Sequence, residues 1–124
     1  MATTAELNQS LMVVIGETTT LAIDLSADYP SVPTSIWFHM ATHPLGIVLN
    51  GFPIASPSSN IAINPTGGAT GGIRITITLP HSMTKLMAQS PSVRWSCWDA
   101  SDANNPKVVA GGPVTLSPPS GYPG

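Results

Sequence analysis

Between Gly72 and Asp99 the side chains alternate in character with a period of two. Ile73, Ile75, Ile77 and Leu79 interleave with Arg74, Thr76 and Thr78. That spacing belongs to a strand with one buried face. Pro80 stops the run. His81 to Ala88 then carries Met83, Leu86 and Met87 at helical spacing, too short for more than two turns. Val93, Trp95 and Cys97 resume the alternation. A strand, one helical turn and a second strand are expected to carry the chain from one sheet of a β-sandwich to the other. This single stretch constrains the fold to the all-β class.

The remainder follows the same rhythm. Leu11 to Ile15 is a short apolar strand ended by Gly16, and Thr18 to Leu25 turns Leu21, Ile23 and Leu25 inward. Thr34 to Thr42 puts Ile36, Phe38 and Met40 on one face and Trp37, His39 and Ala41 on the other. Gly46 to Ile54 reads as a hairpin about Asn50-Gly51, a pair suited to a tight turn with positive φ. Pro53 would put it at a sheet edge. Ile61 and Ile63 mark a further strand. Lys107 to Leu116 closes the set, with Gly111, Gly112 and Pro113 suggesting a bulge. The total is about seven to nine strands, as expected of a single immunoglobulin-like β-sandwich with one short helical turn. The expected organisation is an N-terminal arm (1–10), the sandwich (11–116) and a Pro/Gly tail (117–124).

Charge is scarce. Lys, Arg, Asp and Glu make up 8% of the chain, against about 25% in an ordinary soluble domain. Either hydroxyls and amides keep the surface soluble, or neighbouring subunits cover much of it, since interface cores are depleted in charge. The second is the expected one. Four basic residues and a net charge of −2 supply no phosphate-binding patch, so nucleic acid is not an expected partner. No apolar run approaches the length of a membrane span, and a membrane partner is not expected. The first residues lack the basic and apolar regions of a signal peptide. Cys97 is the one cysteine, so no intrachain disulfide is expected. These features fit synthesis in a cytoplasm.

No set of residues assembles into a catalytic or metal site, and the chain is expected to be neither an enzyme nor a cofactor binder. His39 and His43 have a spacing that binds zinc on a helix. Along a strand, four residues span about 13 Å, too far for one ion. Gly67 to Gly72 has the glycines of a phosphate loop but leads into a strand and lacks the Gly-Lys-Ser/Thr. Cys97 shares parity with Val93 and Trp95 and reads as core. The turn after Trp98 carries Asp99 and Asp102, expected to cap backbone N–H groups rather than to act as a pair of acids.

Contact residues are easier to nominate. Trp98 and Trp37 have the parity of an outward face, where tryptophan either anchors a subunit contact or lies beneath a loop of the same chain. His39 shares the face of Trp37, and Arg94 that of Trp98. Asn50 and Phe52 fall at the expected edge, and Tyr122 in the tail. The candidate interface is therefore Trp37, His39, Asn50, Phe52, Arg94, Trp98 and Tyr122.

The order of segments resembles the small immunoglobulin-like modules of tailed-bacteriophage virions, such as the N-terminal domain of baseplate upper proteins. The pieces are Val13–Leu25 (VVIGETTTLAIDL), Gly71–Met87 (GGIRITITLPHSMTKLM), Val93–Asp99 (VRWSCWD) and Val108–Leu116 (VVAGGPVTL). The resemblance implies a non-catalytic structural subunit of the virion, either a capsid decoration or cement protein or a tail or baseplate adaptor. Its partners would be other virion proteins and copies of itself. The alternative is a carbohydrate- or receptor-binding module, in which Trp98 with Asp99, Asp102 and Asn104 stacks on and hydrogen-bonds a glycan.

Overall fold

The computed structural model describes residues 7–26, 28–42, 46–49, 52–68, 71–85 and 93–117. Nine strands and one helical turn occur among them: β1 (Leu7–Asn8), β2 (Leu11–Val14), β3 (Thr19–Asp24), β4 (Ile36–Thr42), β5 (Ile54–Ala55), β6 (Ile61–Asn64), β7 (Arg74–Leu79), α1 (His81–Thr84), β8 (Val93–Asp99) and β9 (Lys107–Ser117). They form two sheets. The larger has the order β1-β9-β8-β4-β5, with β2 also on β9, and the smaller has the order β3-β7-β6. Most pairings are antiparallel, but β1 and β2 run parallel to β9. A first strand laid parallel to the last, with successive strands divided between two sheets, is the immunoglobulin-like arrangement. The expected all-β sandwich is what the chain forms.

Alternation explains the core. Each strand turns its apolar positions inward, and the two inner faces interdigitate. Ile23, Ile75, Ile77 and Leu79 come from the small sheet; Val13, Ile36, Phe38, Met40, Trp95 and Cys97 come from the large one. Trp95 is the largest side chain fully withdrawn from water. It stacks on Phe38 at 5.8 Å between ring centroids, and Phe52 tilts against Phe38 at 6.0 Å. Such aromatic pairs add about 0.5–1.5 kcal/mol beyond the area they bury.

The helical turn sits where the sequence put it and links β7 to the chain segment before β8. One residue that the apolar pattern did not mark holds it. Thr84 is fully buried, and its hydroxyl donates to the Glu17 carbonyl at 2.8 Å. The His81 N–H donates to the Thr18 hydroxyl at 3.2 Å. Both bonds fasten α1 to the β2–β3 turn. Leu86 and Met87 lie outside the described residues.

Three local expectations change. The bulge expected at Gly111–Pro113 lies instead opposite the Cys97/Trp98 step of β8. The glycines serve a close approach. A Cβ at Gly112 would stand 2.1 Å from the Gln9 carbonyl oxygen. That same oxygen accepts the indole N–H of Trp95 at 2.8 Å. Pro113 pairs with Arg94 and falls between the residues of β9 held by β1 and those held by β2. Its missing N–H therefore costs no bond to a first strand.

The second change concerns the hairpin. One bond, from the Phe52 N–H to the Leu49 carbonyl at 3.1 Å, joins its two arms, but beyond it they form no ladder with each other among the described residues. Ile47 to Leu49 lies along the Met40–Thr42 end of β4, and Ile54–Ala55 along the Trp37–Phe38 end. The free edge of one long strand offers ladder bonds to both arms. Asn50 and Gly51 lie outside the described residues. The third concerns the N-terminus. Leu7–Asn8, within the stretch read as an arm, forms a strand on β9. The tail beyond Ser117 lies outside the described residues.

Candidate interaction face

The outward positions of the large sheet converge on one surface. β4 and β8 are antiparallel neighbours, with Trp37 opposite Trp98, His39 opposite Ser96 and Ala41 opposite Arg94. Directly opposed residues have Cβ atoms about 4.5–5.5 Å apart. Two tryptophans from distant parts of the chain therefore sit side by side. The Trp98 indole N–H donates to the Ser96 hydroxyl at 3.0 Å, which satisfies its polar edge on the sheet and leaves the ring for contact.

The face is apolar beyond the tryptophans. On one flank Met12 is 64% exposed, and on the other Val48 is 44% exposed. Met12 lies opposite Thr115 and Val48 bridges to Ala41. Sequence reading missed both. The signal was present for Met12, whose parity opposes that of the buried Leu11 and Val13. Val48 carried no such signal, because its pairing with β4 was not legible. Arg94 is the single formal charge among the described residues of this face. His39 is partly buried, and that burial lowers its pKa below the ordinary imidazole value.

Of the nominated contact residues, Trp37, His39, Arg94 and Trp98 come together here. Phe52 does not. It is 9% exposed and packs on Phe38 in the core; that packing, rather than an edge contact, explains its aromatic side chain. Asn50 and Tyr122 lie outside the described residues, as does His43.

The polar cluster at one end of the sandwich is a separate feature. Asp99 sits at the inward-facing end of β8 and is 6% exposed. Its carboxylate accepts the Tyr29 hydroxyl, the Ser101 N–H at 3.0 Å and the Ser101 hydroxyl at 2.6 Å. Burial alone would raise this carboxyl. The bonds from Ser101 and Tyr29, with the Lys107 charge, outweigh burial and hold it below the usual range. The same burial and the Asp99 partner push the Tyr29 phenol upward. The Lys107 ammonium lies 5.3 Å from the Tyr29 ring centroid, within cation–π range. Asp102 accepts the Asn104 N–H at 3.0 Å. Turn capping by these aspartates was legible; Tyr29 as the partner of Asp99 was not.

A cleft of about 300 Å³ adjoins this cluster, lined by Ser31, Asp99, Ser101, Asp102, Asn105 and Lys107. Trp98 and Asn104 are not part of its lining. Trp98 and Asp99 are adjacent on a strand and point to opposite faces. The glycan constellation imagined from sequence is therefore not assembled as one site. Cys97 is buried, and burial with the nearby Asp99 charge pushes its thiol up to about 12, which leaves it unreactive at neutral pH. Among the described residues, no group of three or more His, Cys, Asp and Glu could hold a metal ion, and no helix is long and apolar enough to cross a membrane.

Strand order and surface together define an immunoglobulin-like β-sandwich with an aromatic, nearly uncharged sheet face. No family model matches the sequence, and no curated protein matches it. Solved structures similar to it include the NK cell receptor NKp44, a triggering partner in natural cytotoxicity. That likeness has 17% identity, a TM-score of 0.47, and coverage of 89% of this chain and 98% of the receptor chain. Another is the extracellular domain of the voltage-gated sodium channel beta4 subunit, described as a parallel homodimer with a role in cell–cell adhesion. It shares 12% identity and a TM-score of 0.43, covering 100% of this chain and 97% of that one. The strand order and registers define the fold.

Proposed function

We propose that the chain is a non-catalytic structural subunit that works by protein–protein contact through the outer face of its large sheet. The setting implied by the order of its segments is the virion of a tailed phage, as a decoration or cement protein or a tail adaptor. The observation that carries this reading is the Trp37–Trp98 pair on a face flanked by Met12 and Val48, with Arg94 its one formal charge among the described residues. Contiguous exposed apolar surface marks a contact site, and tryptophan is the side chain most enriched where such contacts hold. Many copies in a symmetric assembly would multiply a modest contact into firm attachment.

Mass spectrometry of purified virions tests the setting. The chain is expected in the particle, and a Trp98→Ala chain is expected to be lost from it. Absence of the unaltered chain from intact particles overturns the virion assignment.

The polar cleft beside Asp99 is the one feature that favours the second reading, a carbohydrate- or receptor-binding module. Its groups for a hydroxylated ligand would be Ser31, Asp102, Asn105 and Lys107, since Asp99 is already engaged by Tyr29 and Ser101. Saturable glycan binding by the isolated chain, lost in Asp102→Ala, would favour it.

A further inference from the structure

We infer that a second copy of this chain occupies the face, docked with its strands reversed so that Arg94 of each copy lies over Trp98 of the other. This rests on the contact reading above and adds the partner and its register.

Size allows it. The sheet is five strands wide, and β8 is seven residues long. At ~4.8 Å between strands and ~3.4 Å per residue, the face measures about 24 Å by 24 Å. Two such faces remove roughly 1,100 Å² of projected surface from water, past the ~1,000 Å² at which specific interfaces begin.

Register follows from charge and bulk. Sheets packed face to face keep their strands roughly aligned, which leaves two ways to pair this face with itself. With the two-fold axis running along the strands, Trp98 meets Trp37 of the other copy and Arg94 meets Ala41. Bulk is then set against bulk, and the guanidinium is buried on a methyl group without an acceptor, which is costly. With the axis in the contact plane and across the strands, positions 94 and 98 exchange, as do 41 and 37. Arg94 then lies over the Trp98 indole, a favourable cation–π contact, and Trp37 lies over the small Ala41. The Ser96 hydroxyl already holds the Trp98 ring, so less order has to be gained on docking. His39 and Ser96, at the centre of the exchange, each meet their own counterpart, and burial favours the neutral form of the imidazole. Each favourable contact occurs twice, as a two-fold interface requires.

Sedimentation equilibrium of the whole chain at micromolar concentration tests this. The unaltered chain is expected to dimerise. Arg94→Glu is expected to weaken association tenfold or more. Trp98→Arg is expected to give monomer, because the new arginine meets Arg94. The double variant R94E/W98R is expected to dimerise again through two reciprocal Glu–Arg pairs. A second pair probes the same register through bulk: Ala41→Trp is expected to block association, and W37A/A41W to restore it. Circular dichroism melts confirm that each variant is folded.

Three results overturn the inference: an unaltered chain that stays monomeric, a Trp98→Arg variant that still dimerises, or folded double variants that both stay monomeric. The functional reading fails differently. A monomer that still attaches to virions through Trp98 overturns the dimer alone, whereas a dimer absent from virions overturns the virion assignment alone.

Discussion

The outer face of the small sheet carries Thr20, Ala22, Thr76, Thr78 and the pair Asp24–Arg74, while the outer face of the large sheet carries Trp37, His39, Ala41, Ser96, Trp98 and Arg94. Both arise from the same period-two alternation over the same core. On the small sheet, short hydroxyl and methyl side chains stand beside an ion pair, with the Arg74 guanidinium donating to both Asp24 oxygens at 2.7 and 3.0 Å. Every charge there has its partner within the chain, and the hydroxyls suit water. On the large sheet the indoles are wide and flat, and Arg94 has no ion-pair partner among the described residues. The difference teaches that alternation decides which residues face out, whereas side-chain size and internal charge pairing decide whether the outward face is finished.

Six substitutions put that contrast at risk. Trp95→Ala should have the largest effect, because both faces stand on the core that Trp95 fills. Emptying a site this large costs about 3–5 kcal/mol, and the loss of the indole bond to Gln9 adds to it. Chemical denaturation should show the drop. Gly112→Ala should act at the same junction, since the new Cβ would strike the Gln9 carbonyl. A Trp95→Ala melt within a degree or two of the parent would mean that the two faces do not share one core.

Trp98→Ala comes next and should separate folding from association. Anchor tryptophans contribute about 2 kcal/mol or more to an interface, a weakening of roughly thirtyfold. The melting temperature should move little, because the ring is only partly buried. A large loss of stability with association intact would place Trp98 with the core rather than with the contact.

Asp99→Asn should cost about 1–3 kcal/mol, the scale for disturbing a buried, bonded polar group, and should leave the contact face in place. The sign of its pH dependence is fixed. The folded carboxyl sits below its unfolded value, so its stabilisation is present above about pH 4, the unfolded carboxylate pKa. It is lost as pH falls through the folded value. The parent should therefore lose stability below about pH 4, and the acid limb of the variant should be flatter. Tyr29 works in the opposite range. Its phenol is raised, so its contribution holds below about pH 10 and declines above it. Melting curves across pH, with Tyr29→Phe beside Asp99→Asn, check both limbs.

The smallest effect should come from Arg74→Ala on the small sheet. Exposed ion pairs contribute little and are screened by salt. Its melting temperature and self-association should both match the parent within error. A loss of association here would make the small sheet a contact face as well and erase the contrast.

How much was legible differs by element. The buried residues Ile75, Ile77, Trp95 and Cys97 were readable because parity is a local property: neighbours in sequence point to opposite sides of a strand. Trp37 and Trp98 were readable as outward-facing for the same reason. That they lie side by side was not, since nothing within either strand names the residue opposite it. The hairpin shows this failure most clearly. A favourable turn pair predicts two arms that pair along their length, yet only the Leu49 carbonyl and Phe52 N–H meet, and the free edge of β4 takes the rest of both arms. The glycines of β9 looked like a bulge because the sequence does not reveal that the Gln9 carbonyl crosses above them. Thr84 and Tyr29 were missed because polar side chains give no apolar signal when a hydrogen bond is what allows their burial.

By itself the sequence determined the class of fold, the inside and outside of most strands, and the scarcity of charge. Tertiary structure decided the registers, and with them the single face that gathers Trp37, Trp98, Met12 and Val48, and the bond from Tyr29 to Asp99. The physical reason is range. Which side a residue faces is set by the pleat of its own strand. Which residue it meets is set by pairing between segments far apart in the chain, where the alternatives differ by a one-residue slip and only the packed core selects among them.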